Sequence, residues 1–282
     1  MTSTRREFLH GAAMRLGAAA IGGRLLRSPE QVAASRSIER LGIQLYTLRS
    51  RMQESVESTL ARVAAIGYAE VEFAGYFDRT PAQVATMLKA NGLRAPSAHI
   101  TLDQIRNSWP RTLDVAGTIG HAYLVCAFID AKERTADSYN RIADEFNRAG
   151  EQARAHGIRF AYHNHDFEFA AVGSTLPYDM LLAQCDADLV QMELDLYWIN
   201  KARRDPLDYF ARYPGRFPLV HVKDMASSGA MADAGAGSLP FGRYFAQATT
   251  AGIRHYFVER DDPVDPFQSA ERSFRYLKSL EF

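Results

Sequence analysis

At 282 residues the chain is long enough for one large core, and a barrel of alternating strands and helices needs roughly 250 residues. Its 47% hydrophobic and 23% charged residues exclude a disordered or fibrous chain. The formal net charge is zero, but the first 27 residues hold five arginines against one glutamate, so the remainder is mildly acidic. That balance argues against nucleic-acid binding, which needs a basic surface. Two cysteines exclude a disulfide scaffold, and Cys126, inside an apolar run, is expected to be a buried thiol.

The beginning of the chain resembles a twin-arginine export signal. Residues 4–10 read Thr-Arg-Arg-Glu-Phe-Leu-His, and a weakly apolar Ala/Gly-rich stretch follows through Ile21. This stretch is too short and too mild to remain as a membrane anchor. Residues 1–37 are therefore predicted to be a signal peptide with a short linker, which implies the twin-arginine export machinery as a partner and a periplasmic or secreted protein. The alternative is a basic tail without secondary structure.

Residues 38–282 predict a single domain of eight alternating strands and helices. The first strand is expected at Leu41–Tyr46, followed by a helix with Val56, Leu60 and Val63 on one face and Gly67 at its end. Seven further strands follow, at 69–73, 93–100, 121–129, 158–163, 189–196, 217–223 and 253–259. Between and after them, helices are expected from Pro81, at 103–118, around 142–153, at 177–184, 206–213 and 241–251, and around 270–277.

Eight strand–helix alternations favour the α/β class and a closed (β/α)8 TIM barrel. An open doubly wound sheet is the alternative. It is disfavoured because no strand is followed by a glycine-rich dinucleotide or phosphate loop.

Ionisable residues gather where the predicted strands end, which is the end of a barrel that carries the chemistry. Buried charges need a partner or a metal ion, so four consecutive strands that end in such residues indicate a functional site. The positions are Glu72 on the second strand, His99 on the third, His163, His165 and Glu168 on the fifth, Glu193 and Asp195 on the sixth, His221, Lys223 and Asp224 on the seventh, and Glu259, Arg260, Asp261 and Asp262 on the eighth.

Strand alternation indicates which of these side chains share a face. Glu193 and Asp195 lie on one face of the sixth strand, and His221 and Lys223 on one face of the seventh. A carboxylate from the sixth strand, an imidazole from the seventh and a carboxylate from the eighth can therefore converge on one point. Such a set, which has no thiolate, suits one divalent metal ion such as Mn²⁺, Co²⁺, Mg²⁺ or Zn²⁺.

The chain from Leu41 onward resembles the xylose-isomerase-like sugar isomerase/epimerase family of barrels. Asp195 in Glu-Leu-Asp-Leu-Tyr-Trp, His221 in His-Val-Lys-Asp-Met and Glu259 in Phe-Val-Glu-Arg match three of the four metal ligands that the family takes from its fifth to eighth strands. His163 stands where the family's fifth-strand glutamate is expected, in Tyr-His-Asn-His, which is similar to the branch with inosose dehydratases. Trp198 likewise replaces a common histidine.

The resemblance implies a small carbohydrate substrate, one divalent ion and enediolate chemistry. His163, Asp195, His221 and Glu259 are the expected metal ligands. Glu259 or His165 is the expected base next to the carbonyl, and Lys223 or Glu168 the expected proton donor. Tyr46, Trp198, Glu72 and His99 are expected to bind substrate. Because a histidine replaces one ligand carboxylate, two-base epimerisation is less expected than dehydration, hydration or elimination.

Two other functions are compatible with the sequence. The first is an exported carbohydrate-binding barrel without catalysis, and the second a DNA-repair endonuclease of the same fold. The endonuclease is disfavoured by the acidic body and the single predicted metal site. The chain leaves the substrate, the metal and the oligomeric state open.

Overall fold

The computed structural model describes residues 36–282, so most of the predicted export segment lies outside the described residues. Eight parallel strands close into a barrel in which each strand pairs with its neighbours in sequence and the last pairs with the first. The predicted (β/α)8 TIM barrel is confirmed. Its strands are β1 (Gly42–Gln44), β2 (Glu70–Phe73), β3 (Arg94–Ile100), β4 (Tyr123–Cys126), β5 (Arg159–His163), β6 (Val190–Asp195), β7 (Leu219–Val222) and β10 (His255–Val258).

Twelve α-helices of the described chain surround or cap this barrel. They are α1 (Arg49–Glu54), α2 (Val56–Ile66), α3 (Pro81–Ala90), α4 (Leu102–Asn107), α5 (Trp109–Ile119), α6 (Ala136–Ala155), α7 (Pro177–Gln184), α8 (Leu196–Lys201), α9 (Pro206–Arg212), α10 (Phe241–Ala246), α11 (Ala248–Ala251) and α12 (Pro266–Ser279). Three 3₁₀ helices lie at Leu45–Leu48, Ala131–Glu133 and Phe167–Phe169. None of the helices within residues 36–282 is long and apolar enough to cross a membrane.

The helix boundaries follow from local sequence. Thr80 caps α3 and exchanges hydrogen bonds with Gln83, and Thr101 does the same with Gln104 at the start of α4. Pro81 occupies the first turn of α3, where its missing N–H costs no hydrogen bond. Gly67 ends α2 with a φ of 116°, a left-handed conformation that suits glycine.

Several stretches differ from the sequence-based expectation. The helix predicted over 103–118 is divided at Ser108, whose φ of −148° is not helical. The short helix α8 follows β6 directly, where a longer strand was expected. The Gly/Ala/Ser loop after β7 contains two short antiparallel strands, β8 (Asp224–Met225) and β9 (Met231–Ala232). Asp224 organises this loop because its carboxylate accepts the backbone N–H groups of Met225, Gly235, Gly237 and Leu239.

The interior of the barrel explains why the polar residues lie at one end. Tyr123, Val125, Ala161, Leu219 and Phe257 form a separate buried cluster of inward-facing residues. Side chains two residues apart on a strand face the same way. The residues two positions after Ala161, Leu219 and Phe257 therefore also face the interior. They are His163, His221 and Glu259. The apolar layer therefore supports a polar layer at the carboxyl ends of the strands. The larger core lies between the strands and the helices, and both cysteines are buried free thiols.

Candidate active site

Three side chains from consecutive barrel strands converge at the carboxyl end of the barrel. Asp195 ends β6, His221 lies on β7 and Glu259 directly follows β10, and one ligand atom of each lies within 4.8 Å of the others. His163, at the end of β5, places its Nε2 3.9 Å from Asp195 Oδ2. We call these four residues the upper cluster. All four are buried, as the strand pattern predicts.

The two carboxylate oxygens of Asp195 have separate roles. Oδ1 accepts the backbone N–H groups of Tyr197 at 2.8 Å and Trp198 at 2.9 Å, and so caps the start of α8. Oδ2 is buried and makes no hydrogen bond within the described chain, although Lys223 Nζ lies 3.1 Å away. Burial raises the pKa of Asp195 to about 6. Oδ2 is therefore a free ligand atom that faces the other three residues.

Lys223 supplies the fixed positive charge of the site. Its Nζ lies 2.9 Å from Glu259 Oε2, 2.9 Å from Asp261 Oδ1 and 3.1 Å from Asp195 Oδ2. Burial opposes the charge, but these three carboxylates raise the pKa of Lys223 well above its usual value. Burial likewise opposes the ionisation of Glu259, yet Lys223 and His221 hold its pKa well below the usual range.

A second group of ionisable side chains lies deeper in the barrel than the upper cluster, since Glu193 is two residues before Asp195 on β6. We call Glu72, His99 and Glu193 the lower cluster, and His221 joins it to the upper one. His221 Nδ1 lies 2.7 Å from Glu259 Oε2, and its Nε2 lies 2.7 Å from Glu72 Oε2. Burial opposes its charge, but Glu193 and Glu259 raise the pKa of His221 well above its usual value.

The two carboxylates of the lower cluster differ in their contacts. Glu72 accepts hydrogen bonds from Gln44 Nε2 at 2.7 Å and from the hydroxyl of Ser97. Burial, with the nearby charge of Glu193, raises the pKa of Glu72. Glu193 has its Oε2 2.7 Å from His99 Nε2, while its Oε1 is buried without a hydrogen-bond partner among residues 36–282. Although burial opposes it, His221 and His99 hold the pKa of Glu193 well below its usual value.

The end of β5 separates one structural carboxylate from two imidazoles that face the cavity. Glu168 is fully buried and accepts hydrogen bonds from the hydroxyl of Tyr162 and from the backbone N–H of His165 at 2.8 Å. Burial raises the pKa of Glu168 to about 7. Burial also lowers the pKa of His163 to about 3 and that of His165 to about 2, so both rings are neutral near pH 7. Asn164 faces the other way and accepts the N–H of Asp195 at 3.0 Å.

A cavity of about 840 Å³ opens above the upper cluster. One wall belongs to the site and comprises His99, His163, His165, Lys223, Glu259 and Asp261. The other wall comes from the loop after β2 and from α4 and α5, and it includes Tyr76, Arg79, Gln104, Arg111 and Val115. Tyr46, 42% exposed, and Phe128, 44% exposed, complete the lining with aromatic rings.

The residues predicted from sequence fall into two sets. Of the predicted catalytic and substrate-binding residues, Glu259, His165, Lys223, Tyr46 and His99 line the cavity. Glu72, Trp198 and Glu168 are not part of the lining that residues 36–282 form. Trp198 lies behind it, with its ring centre 5.4 Å from His165 and 5.5 Å from Lys223 Nζ. The four predicted metal ligands are together in the upper cluster.

Sequence reasoning assigned no role to several residues that the structure places in or beside the site, although Glu193 and Asp261 were among the strand-end residues that it named. The residues without an assigned role are Gln44, Ser97, Glu193, Asp261 and Arg111. The sequence did indicate a role for Glu193, because it lies on the same face of its strand as Asp195. Nothing in the sequence indicated a role for Gln44 or Ser97, since uncharged polar residues are common on ordinary strands.

Most of the chain matches one known protein family. Residues 60–280 match the family described as xylose isomerase-like TIM barrel. An inosose dehydratase of Lacticaseibacillus casei is 29% identical over 98 residues, which are 35% of this chain and 32% of that protein. The chain therefore matches about a third of the length of this curated relative.

Solved structures extend the similarity over nearly the whole described chain. A sugar phosphate isomerase/epimerase from Parabacteroides distasonis ATCC 8503 has a TM-score of 0.76 at 26% identity, covering 90% of this chain and 98% of that one. A 3-keto-D-glucoside 4-epimerase from E. coli has a TM-score of 0.64 at 17% identity, covering 80% and 95%. At that identity the second likeness shows the fold alone.

Proposed function

Because the chain belongs to the xylose isomerase-like TIM barrel family, we propose that it is a divalent-metal-dependent enzyme that moves protons next to the carbonyl of a sugar. The substrate is a keto-sugar, a cyclitol or a keto-glycoside, and the reaction an isomerisation, an epimerisation or a dehydration. One observation carries the proposal above all. Two carboxylates and an imidazole from three consecutive strands converge under a large cavity, with a second imidazole beside them.

The upper cluster fits a divalent ion by the chemistry of its donors. Asp195 Oδ2 is a buried carboxylate oxygen without a hydrogen bond, and both His163 Nε2 and His221 Nδ1 lie 3.9 Å from it. Together with Glu259, these residues would hold Mn²⁺, Co²⁺, Mg²⁺ or Zn²⁺ through two oxygens and two nitrogens. A bound ion of this kind supplies Lewis-acid polarisation of the substrate carbonyl.

The protein groups around the cavity can take over the proton transfers. His165 lines the cavity with a neutral ring, but its pKa of about 2 makes it a weak base for the proton on the carbon next to the carbonyl. Glu259 is the second candidate base, because it is ionised and also lines the cavity. Lys223 keeps its proton, since its pKa is raised, and therefore stabilises negative charge on a substrate oxygen rather than acting as a proton donor.

The carboxylates that face the cavity favour dehydration over two-base epimerisation. Epimerisation by two carboxylates needs one on each side of the substrate carbon. Within residues 36–282 only Glu259 and Asp261 line the cavity as carboxylates, and both contact the same lysine. His163 and His165, in the same wall, are neutral imidazoles with lowered pKa values. In a dehydration, one base can take the proton from the carbon next to the ketone and return it to the hydroxyl that leaves the following carbon as water, while Lys223 stabilises the negative charge on the carbonyl oxygen.

The size of the cavity favours a keto-glycoside among the possible substrates. Pockets of about 300–1,000 Å³ hold drug-sized ligands, and this cavity of about 840 Å³ is near the upper end of that range. A single sugar ring next to Glu259 would leave the wall around Tyr76, Arg111 and Val115 without a ligand. We therefore propose that a second group, attached to the reacting sugar, occupies that side.

Metal analysis of the purified protein tests the proposal. We expect about one divalent ion per chain in the wild type and much less in Asp195→Ala and His221→Ala. Asp188→Ala and His156→Ala, which remove an exposed carboxylate and an exposed imidazole, are matched controls. Deuterium exchange from D2O into keto-sugars and keto-glycosides then measures proton abstraction. Equal, negligible metal in all variants would exclude metal-dependent catalysis, and sugar binding without metal or exchange would instead support the carbohydrate-binding barrel.

A further inference from the structure

Glu193 contacts three imidazoles through one carboxylate oxygen. Its Oε2 lies 2.7 Å from His99 Nε2, 3.2 Å from His163 Nδ1 and 3.2 Å from His221 Nε2. Its side chain is fully buried, and it is not among the residues of the described chain that line the cavity. A substrate in the cavity therefore cannot touch Glu193, so any role in the reaction must pass through these histidines.

In His163 and His221, one ring nitrogen faces Glu193 of the lower cluster and the other faces Asp195 of the upper cluster. His163 faces Glu193 with Nδ1 and Asp195 with Nε2, and His221 faces Glu193 with Nε2 and Asp195 with Nδ1. A neutral imidazole carries its proton on one nitrogen and a lone pair on the other. The nitrogen that faces Glu193 and the nitrogen that faces Asp195 can therefore not both be metal ligands of the same neutral ring.

We infer that Glu193 is a positioning residue that keeps the protons on His163 Nδ1 and His221 Nε2, so that the lone pairs of both rings face Asp195 and Glu259. This inference rests on the proposed metal site in the upper cluster. A carboxylate that accepts the second N–H of a metal-binding histidine fixes its tautomer and ring orientation and raises its basicity. Here one carboxylate oxygen lies 3.2 Å from a ring nitrogen of each of the two proposed ligands.

The contacts of the two histidines differ, which makes the inference specific. His221 Nε2 has a second acceptor, because Glu72 Oε2 lies 2.7 Å away and is held by Gln44 and Ser97. His163 Nδ1 has Glu193 as its nearest carboxylate, 3.2 Å away, and makes no aligned hydrogen bond to any residue of the described chain, Glu193 included. Loss of Glu193 should therefore disturb His163 more than His221.

The strand geometry places Glu193 where this role requires it. Glu193 and Asp195 are two residues apart on β6, so they share its inner face at successive levels of the barrel. Across the sheet, His163 pairs with Glu193 and His221 pairs with Asp195. The rings of His163 and His221, with centres 4.5 Å apart, thus stand between a carboxylate below and a carboxylate above.

The same atoms offer a competing arrangement that the experiment must distinguish. His99 Nε2, His163 Nδ1, His221 Nε2 and Glu193 Oε2 also lie close enough together to hold an ion themselves. In that arrangement Glu193 would be a ligand. The upper cluster is favoured because Glu259 opens to the cavity and Asp195 Oδ2 has no hydrogen bond, whereas Glu193 Oε2 already accepts one from His99.

The test measures the dissociation constant of Zn²⁺ by competition with a chelator, with folding followed by circular dichroism. We expect Glu193→Gln and Glu193→Ala to bind Zn²⁺ about 10- to 100-fold more weakly than the wild type, with the smaller loss in the isosteric glutamine variant. Glu70→Gln is the matched control, because Glu70 is a buried carboxylate of the same barrel that contacts His255 Nδ1 at 2.8 Å, away from the site. It should leave the affinity unchanged.

Nitrogen-15 NMR of histidine-labelled, Zn²⁺-loaded protein provides a readout that loss of stability would not move. We expect His163 with its proton on Nδ1 and His221 with its proton on Nε2 in the wild type, and a changed tautomer or a broadened signal for His163 in Glu193→Gln. The reverse tautomers in the wild type would overturn the inference.

Further variants separate the possible failures. Abolished binding in His99→Ala and Glu193→Ala with intact binding in Asp195→Ala would overturn the inference, because Glu193 would then be a ligand. An unchanged affinity and unchanged tautomers in Glu193→Gln would also overturn it. Absence of Zn²⁺ binding in the wild type would instead contradict the proposed function on which it rests.

Discussion

His121, a buried histidine outside the site, is neutral because both of its ring nitrogens make hydrogen bonds. His121 Nδ1 lies 2.7 Å from the carbonyl oxygen of Ala95, to which it donates, and its Nε2 accepts from the hydroxyl of Tyr76 at 3.1 Å. Both nitrogens of the neutral ring are thereby satisfied, and the side chain is 4% exposed. Burial lowers the pKa of His121 to about 4.

This lowered pKa predicts a loss of stability in acid. The unfolded chain binds the proton with a pKa of about 6.5, so between pH 6.5 and 4 it holds more protons than the folded one. His121 therefore contributes to stability fully above pH 6.5, and about 3 kcal/mol is lost as the pH falls through 4. We expect His121→Gln to be less stable than the wild type at pH 7.5, with a difference that narrows toward pH 4. Urea unfolding at several pH values measures this, and a constant difference would contradict it.

At the scale of single residues, alternation along strands predicted the upper cluster well. Asp195, His221 and Glu259 were expected to converge because they end consecutive strands with their side chains on inner faces, and the structure brings them together. Glu72, His99 and Glu193 were named as strand-end residues, but their grouping as the lower cluster was not predicted, since alternation gives the face of a side chain but not its depth in the barrel. Glu168 shows the same limit, because nothing in the sequence indicated that Tyr162 would bind it.

At the scale of elements, the junction of β6 and α8 couples helix capping to the proposed metal site. Asp195 is the last residue of the strand and the cap of the helix, and each function uses its own oxygen. The early start of α8 was not predicted because Leu196, Tyr197 and Trp198 continue an apolar run. The cap, rather than the apolar pattern, decides where the strand ends.

Two substitutions at Asp195 should separate these functions. Asparagine caps helices about as well as aspartate, whereas alanine does not, and losing the cap costs about 1 kcal/mol. We expect Asp195→Ala to unfold at lower denaturant concentration than Asp195→Asn, while both bind divalent metal weakly. Both variants remove the carboxylate next to Lys223, so this difference cancels between them. Equal stabilities of the two variants would show that the cap contributes nothing.

The packing of α6 on the barrel depends on one glycine. A Cβ at Gly150 would lie 2.4 Å from the carbonyl oxygen of Leu189, which directly precedes β6. Gly117 on α5 is the matched position, since a Cβ there meets nothing within 4 Å. The glycine at position 150 therefore sets the distance between helix and strand.

Opposite effects are expected when each of these glycines is replaced by alanine. Gly150→Ala should destabilise the protein by about 1–3 kcal/mol, because the backbone must move away from the added methyl group. Gly117→Ala should stabilise it by about 0.5–1 kcal/mol, because alanine loses less conformational entropy in a helix. Thermal and urea unfolding measure both. A neutral Gly150→Ala would mean that α6 can shift without loss.

At the scale of the whole molecule, the barrel was predictable because its repeated pattern is redundant. Each of the eight strands lies within the range expected from the sequence, and each is shorter than that range. An error at one strand would not have changed the number of alternations. The strands β8 and β9 were not predicted, because their formation depends on hydrogen bonds from backbone groups up to Leu239 to the Asp224 carboxylate. The pattern of apolar residues does not indicate such hydrogen bonds.

The predicted export signal gives a prediction for the full chain. We propose that the protein is periplasmic or secreted, and that Arg5→Lys with Arg6→Lys retains it in the cytoplasm of a bacterial host with a twin-arginine pathway. Lysine keeps the charge but lacks the planar guanidinium group, so a receptor that reads the arginines should reject it. Cell fractionation with Arg24→Lys as control measures this. Export of the double variant at the wild-type level would contradict a twin-arginine signal.

The edge of the barrel where Arg36 meets Phe282 has a practical consequence. The backbone N–H and carbonyl of Arg36 pair with those of Phe282 at 2.9 Å in both directions, and the Arg36 side chain reaches the carbonyl of Ala246 just before α11. This edge precedes the amino ends of β1 and β10, opposite to the carboxyl ends where the cavity opens. A tether fused after Phe282 would therefore hold the protein on a support with its cavity turned toward the solution. In a variant without residues 1–35, a short linker from Phe282 to Arg36 would also allow new termini to be opened in a distant surface loop, which gives a circularly permuted barrel with the same strand pairing.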